Sequence, residues 1–164
     1  MNKLNIKEVI SKSLDKLYLN DSLLLNPKYD LNERSVSHKL AEYLNQVIKE
    51  KKHEYDVDIE YNRMAVNYDN KLIDFGNIVS KSINYEMHPD KERYVYPDIV
   101  IHKRNENINI CIFEIKMSWK NNLKQLDYDK IDAYMEQLNY KYGAYIEIYP
   151  KKKDTKIEFW PFKK

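Results

Sequence analysis

Two glycines, Gly76 and Gly143, are all that the 164 residues contain, and this scarcity removes several enzyme classes together. A phosphate-cradling loop needs clustered glycines so that backbone N–H groups can close on the phosphates. Kinase, NTPase and dinucleotide-binding readings therefore fall away, and no serine sits in a glycine-flanked nucleophile elbow. The single cysteine, Cys111, excludes an internal disulfide and fits a reducing cytoplasm. Set within an apolar run, it reads as a small core residue. The four histidines show no metal-ligand spacing, which argues against zinc. Long apolar runs are missing as well. Lysines and aspartates interrupt residues 3–25, so that segment reads as neither signal peptide nor membrane span. An excess of one sign of charge is missing too: the formal net charge is +2, too little for the whole-molecule field to point to nucleic acid.

What is present is a strongly patterned chain of single-domain length. Ile6, Val9, Ile10, Leu14 and Leu17 fall on one side of an N-terminal helix, expected to pack on the core or on a second subunit. Val36, Leu40, Leu44, Val47 and Ile48 form the stripe of a second helix over 31–52, with Asp30 or Asn32 as its cap. Residues 55–61 alternate as a strand. Asp127 or Asp129 can open a further helix whose buried stripe is Ile131, Tyr134, Met135, Leu138 and Tyr142, with Gly143 as its C-cap glycine. Residues 144–149 and 155–160 make a final strand pair. Residues 64–96 form a long insertion or loop containing Asn67-Tyr68-Asp69-Asn70 and His88-Pro89-Asp90, in which Ile73, Phe75, Ile78 and Val79 could dock as a short helix or strand.

The chemistry concentrates between Pro97 and Lys116. Ile99, Val100 and Ile101 follow Asp98, and Ile108, Ile110, Cys111, Ile112 and Phe113 lead to Glu114-Ile115-Lys116. These are two short strands around the turn 104–107. A hairpin turning at Glu106 sets Asp98 opposite Glu114, and facing side chains lie about 5 Å apart, close enough to share a cation. Alternation puts Lys116 beside Glu114 and turns Ile115 to the other face. Two neighbouring carboxylates repel unless a cation neutralises them, and oxygen ligands select Mg²⁺ or Mn²⁺. The lysine can orient water and offset charge building on phosphorus, so the chemistry indicated is metal-assisted phosphodiester hydrolysis. The same pattern also suits an edge hairpin with a solvated Glu and Lys. At about 100° per residue, Glu33 lies on the inward face of the second helix. It either complements the helix dipole or serves as a third acid.

Pro97-Asp98 followed by Glu114-x-Lys116 resembles the signature of the PD-(D/E)xK nuclease superfamily. The element order, helix, three strands, helix, two strands, resembles its α/β restriction-endonuclease-like αβββαβ core over about 32–149, preceded here by an extra helix. Asn32-Glu33-Arg34-Ser35 with Ser37-His38, Glu60-Tyr61-Asn62-Arg63 and Asp127-x-x-Lys130-Ile131 are similar to stretches of small stand-alone bacterial members. The resemblance implies a Mg²⁺-dependent cytoplasmic nuclease, with DNA the expected substrate and 5′-phosphate and 3′-hydroxyl products. Glu33, Asp98 and Glu114 would hold the metal with the backbone carbonyl of Ile115, and Lys116 would act on water. Lys120, Lys124 and Lys130, which follow the active strand, are the expected phosphate contacts. Cutting both strands needs two active sites, which a homodimer would supply. The alternative is a catalytically idle copy, a nucleic-acid-binding or protein-interaction module of a larger defence or mobile-element complex.

Overall fold

The computed structural model describes residues 4–61, 63–65, 67–68, 71–72, 78–80, 83–84, 94–104, 106–120 and 124–161. Helix α1 (Ile6–Asn20) starts where the Asn5 side chain accepts a hydrogen bond from the Glu8 N–H, satisfying a donor the first turn leaves open. Its stripe of Ile6, Val9, Ile10, Leu14 and Leu17 is buried, as residues three and four apart on one helical face must be to form a core. Two short 3-10 turns, Ser22–Leu25 and Pro27–Tyr29, lead to α2 (Glu33–Glu50). Of the two candidate caps, Asn32 takes the role, accepting from the Arg34 N–H at 3.0 Å. Asp30 instead ends the preceding turn in the left-handed region, with φ 41°. Val36, Leu40, Leu44, Val47 and Ile48 are fully buried, and α1 packs along α2 in the main core.

Five strands follow in chain order across one mixed sheet: β1 (Asp56–Ile59), β2 (Ile99–Lys103), β3 (Ile108–Met117), β4 (Tyr142–Ile148) and β5 (Lys156–Trp160). The first three are antiparallel neighbours. Helix α3 (Lys124–Leu138) then carries the chain across to β4, which is parallel to β3, and β5 returns antiparallel. Alternation assigns the two faces. Ile99, Ile101, Phe113, Ile115, Met117, Ile146 and Ile148 join the α1–α2 core, whereas Val100 and Ile112 pack with Tyr134 of α3 on the other side. The mixed α/β class with a central mixed sheet is thus the architecture of the chain.

Two expectations need correcting. Helix α3 begins at Lys124, so Asp127 and Asp129 lie within it and do not cap it. It ends at Leu138, followed by Asn139 at φ 53°, a left-handed position that asparagine tolerates. Tyr142 and Gly143 therefore belong to β4, and Gly143 is not a cap. Within 63–95, short antiparallel pairings join 63–65 to 78–80, 67–68 to 71–72 and 83–84 to 94–95. Ile78 and Val79 are in a strand; Ile73, Phe75 and His88-Pro89-Asp90 lie outside the described residues.

Candidate functional site

Ile99 faces Phe113, Val100 faces Ile112 and Ile101 faces Cys111. The observed pairs stop at Ile99, and Asp98 lies one residue before β2, next in line toward Glu114. Nearer the turn the pairs are His102 with Asn109 and Lys103 with Ile108. The turn is centred slightly before Glu106, and a bulge that leaves Ile110 unpaired restores the register. The Asp98 carboxylate accepts the Ile115 N–H at 2.7 Å, which fixes it against β3. Ile115 itself turns into the α1–α2 core, while Glu114 and Lys116 face α3.

Glu33 reaches the same place from the other side of the sheet. Because it is the first residue of α2, its side chain projects past the helix end and accepts from Lys116 Nζ at 3.0 Å and from the Met117 N–H at 3.3 Å. The inward acid anticipated from helical periodicity is therefore brought to the lysine of the motif. Helix α3 adds two groups. Lys130 Nζ lies 2.8 Å from Glu114 Oε2 and 2.9 Å from Asp127 Oδ1, and Asp127 Oδ2 is 3.7 Å from Lys116 Nζ. Acids and ammonium groups thus alternate along one chain of contacts: Glu33, Lys116, Asp127, Lys130, Glu114.

Asp127 was hidden by its reading as a cap, yet the angular test that picks out Glu33 finds it too. Asp127, Ile131 and Tyr134 share one helical face, and all three are buried. Lys130, expected at the surface as a phosphate contact, is mostly buried and bridges two acids. The other two candidate lysines are engaged outside the alternating chain of contacts. Lys120 donates to the Leu31 carbonyl at 2.9 Å and lies 3.4 Å from Asp30. Lys124 pairs with Glu158 at 2.6 Å and lies over the Tyr128 and Tyr145 rings.

Four carboxylates (Glu33, Asp98, Glu114, Asp127) against two ammonium groups (Lys116, Lys130) leave a formal charge of −2 in a largely buried setting. Two of the acids, Asp98 and Glu114, hold their protons more tightly in response. Burial raises Asp98 to about 6, against the opposing pull of the Ile115 N–H and of Lys116. Burial and the neighbouring Asp98 charge push Glu114 well above the carboxylate range. Burial works against the Lys116 ammonium, but Asp127 and Glu33 outweigh it and keep the group charged. Glu114 Oε1 is buried without a hydrogen-bond partner, as is the Tyr134 hydroxyl, whose pKa is raised by burial and by Glu114 and Asp98. An open polar cavity of about 190 Å³ reaches Glu33 and Asp98 from solvent, walled by Asn32, Arg34, Ser37, Ile59 and Glu60.

Hard oxygen donors, an unpartnered buried carboxylate oxygen and an excess charge of −2 fit a divalent cation such as Mg²⁺ or Mn²⁺. As the side chains stand, however, no group of three His, Cys, Asp or Glu among the described residues is arranged to hold a metal ion. The Lys130 ammonium lies on the Glu114 oxygen that such a group would share. A separate polar set pins β1 to β2: buried His102 lies 2.8 Å from Asp58, and Arg104 also pairs with Asp58. Burial raises Asp58, but His102 and Arg104 overcome this and bring it to about 2. No helix among the described residues is long and apolar enough to cross a membrane. No family model, curated protein or solved structure matches the chain.

Proposed function

We propose that the chain is a metal-dependent nuclease of the PD-(D/E)xK type, with the restriction-endonuclease-like core, hydrolysing phosphodiester bonds in nucleic acid, with DNA as substrate. The observation that carries this reading is that Asp98 meets β3 at the Ile115 N–H, between Glu114 and Lys116, with Glu33 at the Lys116 ammonium. Asp98 and Glu114, with the Ile115 carbonyl and Glu33, are the groups that would hold Mg²⁺ or Mn²⁺. The cation supplies Lewis-acid polarisation of the phosphate and a more acidic water.

The protein's own part is positioning and charge. Lys116, kept as the ammonium by Asp127 and Glu33, donates to the attacking water and offsets charge as it grows on phosphorus. Its contribution is greatest in the transition state, so its loss lowers turnover more than binding. The cavity beside Glu33 and Asp98 gives a phosphodiester a route to the acids. The fixed Ile115 N–H holds Asp98 in place without a search over rotamers.

A second reading rests on one specific observation. Each lysine of the cluster already answers two acids, so the cluster can hold itself together as a catalytically idle binding module. Cleavage of labelled single-stranded, duplex and branched DNA and of RNA separates the two, with Mg²⁺, Mn²⁺ or EDTA present. Metal-dependent cutting is expected, falling by about 10²–10³ in kcat in Lys116→Ala, the range for losing one preorganised charge donor. A Lys116→Ala protein that cuts as fast as the parent at saturating Mg²⁺ removes the mechanism. A folded parent that cuts nothing leaves the binding module.

A further inference from the structure

Lys130 differs from the other cations of the site in what it touches. Its pair with Asp127 is local, between residues three apart on α3, while its pair with Glu114 crosses from α3 to β3. The local pair persists whatever happens at the sheet, because both side chains rise from one helical face. The pair across to β3 has no such local tie. Glu114 Oε2 takes the ammonium and Oε1 takes nothing, so half of a buried carboxylate is already free for a second cation. Around it stand Asp98, Lys116, Asp127, Tyr134 and, beyond Lys116, Glu33. None of these donates a hydrogen bond to Oε1.

We propose that Lys130 is a tethered counter-cation for Glu114, which yields that carboxylate when a divalent cation binds and transfers wholly to Asp127. This deepens the metal-dependent reading and rests on it. Asp127 then has a role that neither packing nor catalysis gives it: it is the acceptor that keeps the displaced ammonium from being stranded in a buried setting. An isolated buried ammonium is costly, and without Asp127 the lysine would hold Glu114 against any incoming cation. Lys130 and Asp127 are thereby positioning residues that set the affinity of the site. They are not groups that touch substrate.

Calorimetric titration of Mn²⁺ into the parent, Lys130→Met, Asp127→Asn and the double variant tests this, with Glu114→Gln locating the site. Removing the competing ammonium is expected to tighten Mn²⁺ binding by about tenfold, within the range of coupling between two ligands of one site. Asp127→Asn is expected to weaken binding in the parent background. In the Lys130→Met background it should have little effect, since no ammonium is left to rehouse. Charge alone would make Asp127→Asn weaken binding equally in both backgrounds, and that result overturns the inference. So does unchanged affinity in Lys130→Met. If Lys130→Met fails to fold, Lys130→Gln takes its place in the cycle. Mn²⁺ bound by neither the parent nor any variant, or bound equally by Glu114→Gln, refutes the metal reading itself. Metal binding that disregards Lys130 refutes only the tether.

Discussion

At Gly143, a Cβ would stand 2.4 Å from Ile131 Cγ2 and 3.2 Å from both Met135 Sδ and Trp160 Cβ. Ile131 is fully buried and its branch methyl is fixed close to the helix backbone, so it cannot swing aside. The glycine is there to let α3 lie close on β4, and its backbone has no positive φ. Gly143→Ala is expected to cost about 1–3 kcal/mol, the usual range for overpacking, read as a lower denaturation midpoint with an unchanged slope. An unchanged midpoint would mean that α3 does not lie this close. The same scale shows what a sequence hides. A glycine near a helix end reads as a cap, and only the contact across α3 and β4 reveals that it makes room. Asp127 was obscured in the same way, since an acid in a first turn has an adequate local explanation. Glu33, Asp98, Glu114 and Lys116 were legible because alternation and helical angle are local geometry, whereas Lys130 gained its role from strand β3, which its own helix does not encode.

Helix α2 ties local chemistry to the site most directly. Asn32 caps it through the Arg34 N–H, and Glu33, the next residue, carries the carboxylate that meets Lys116 and the Met117 N–H. Asn5 caps α1 in the same manner, through the Glu8 N–H, but α1 contributes nothing to the site. Each Asn→Ala change should cost about 1 kcal/mol of stability, the typical value of an N-cap. Only Asn32→Ala should also lower cleavage, by loosening the first turn that aims Glu33. Equal activity in the two variants, measured well below their melting temperatures, would show that Glu33 is held by its own contacts and not by the cap. Element order and the buried stripes of α1 and α2 could be read in advance because period and apolar pattern agree there. The start of α3 could not. Its first two turns carry only Leu126 and Tyr128 among polar residues, so the clear apolar periodicity begins about two turns late, at Ile131.

For the whole molecule, an excess of buried carboxylate makes stability without metal run against the usual direction. Asp98 binds its proton with a pKa of about 6 in the fold against 3.8 when unfolded. Between those values the native state holds more protons than the unfolded chain, so stability falls as pH rises. The fall is on the order of 3 kcal/mol for this group alone, and Glu114, raised further, extends it to higher pH. Asp58 acts oppositely: its pKa of about 2 lies below the unfolded value of 3.8, so its contribution is complete above that value and is lost as pH drops toward 2. The combined contribution of Asp98 and Asp58 is therefore greatest near pH 4. On the proposed metal-dependent reading, a divalent cation at Asp98 and Glu114 would take over the work of the protons, because its binding favours the ionised acids and grows as they deprotonate. Thermal melts from pH 3 to 8 should therefore decline above pH 4 in EDTA and flatten with saturating Mn²⁺. Asp98→Asn should remove the first part of the decline in EDTA, since an amide has no proton to lose, and leave the part that Glu114 carries to higher pH. A parent protein whose stability in EDTA climbs steadily from pH 4 to 7, in step with Asp98→Asn, would show that Asp98 ionises as freely as a solvated acid, and the pairing with Glu114 would then lose its electrostatic reason to recruit a cation.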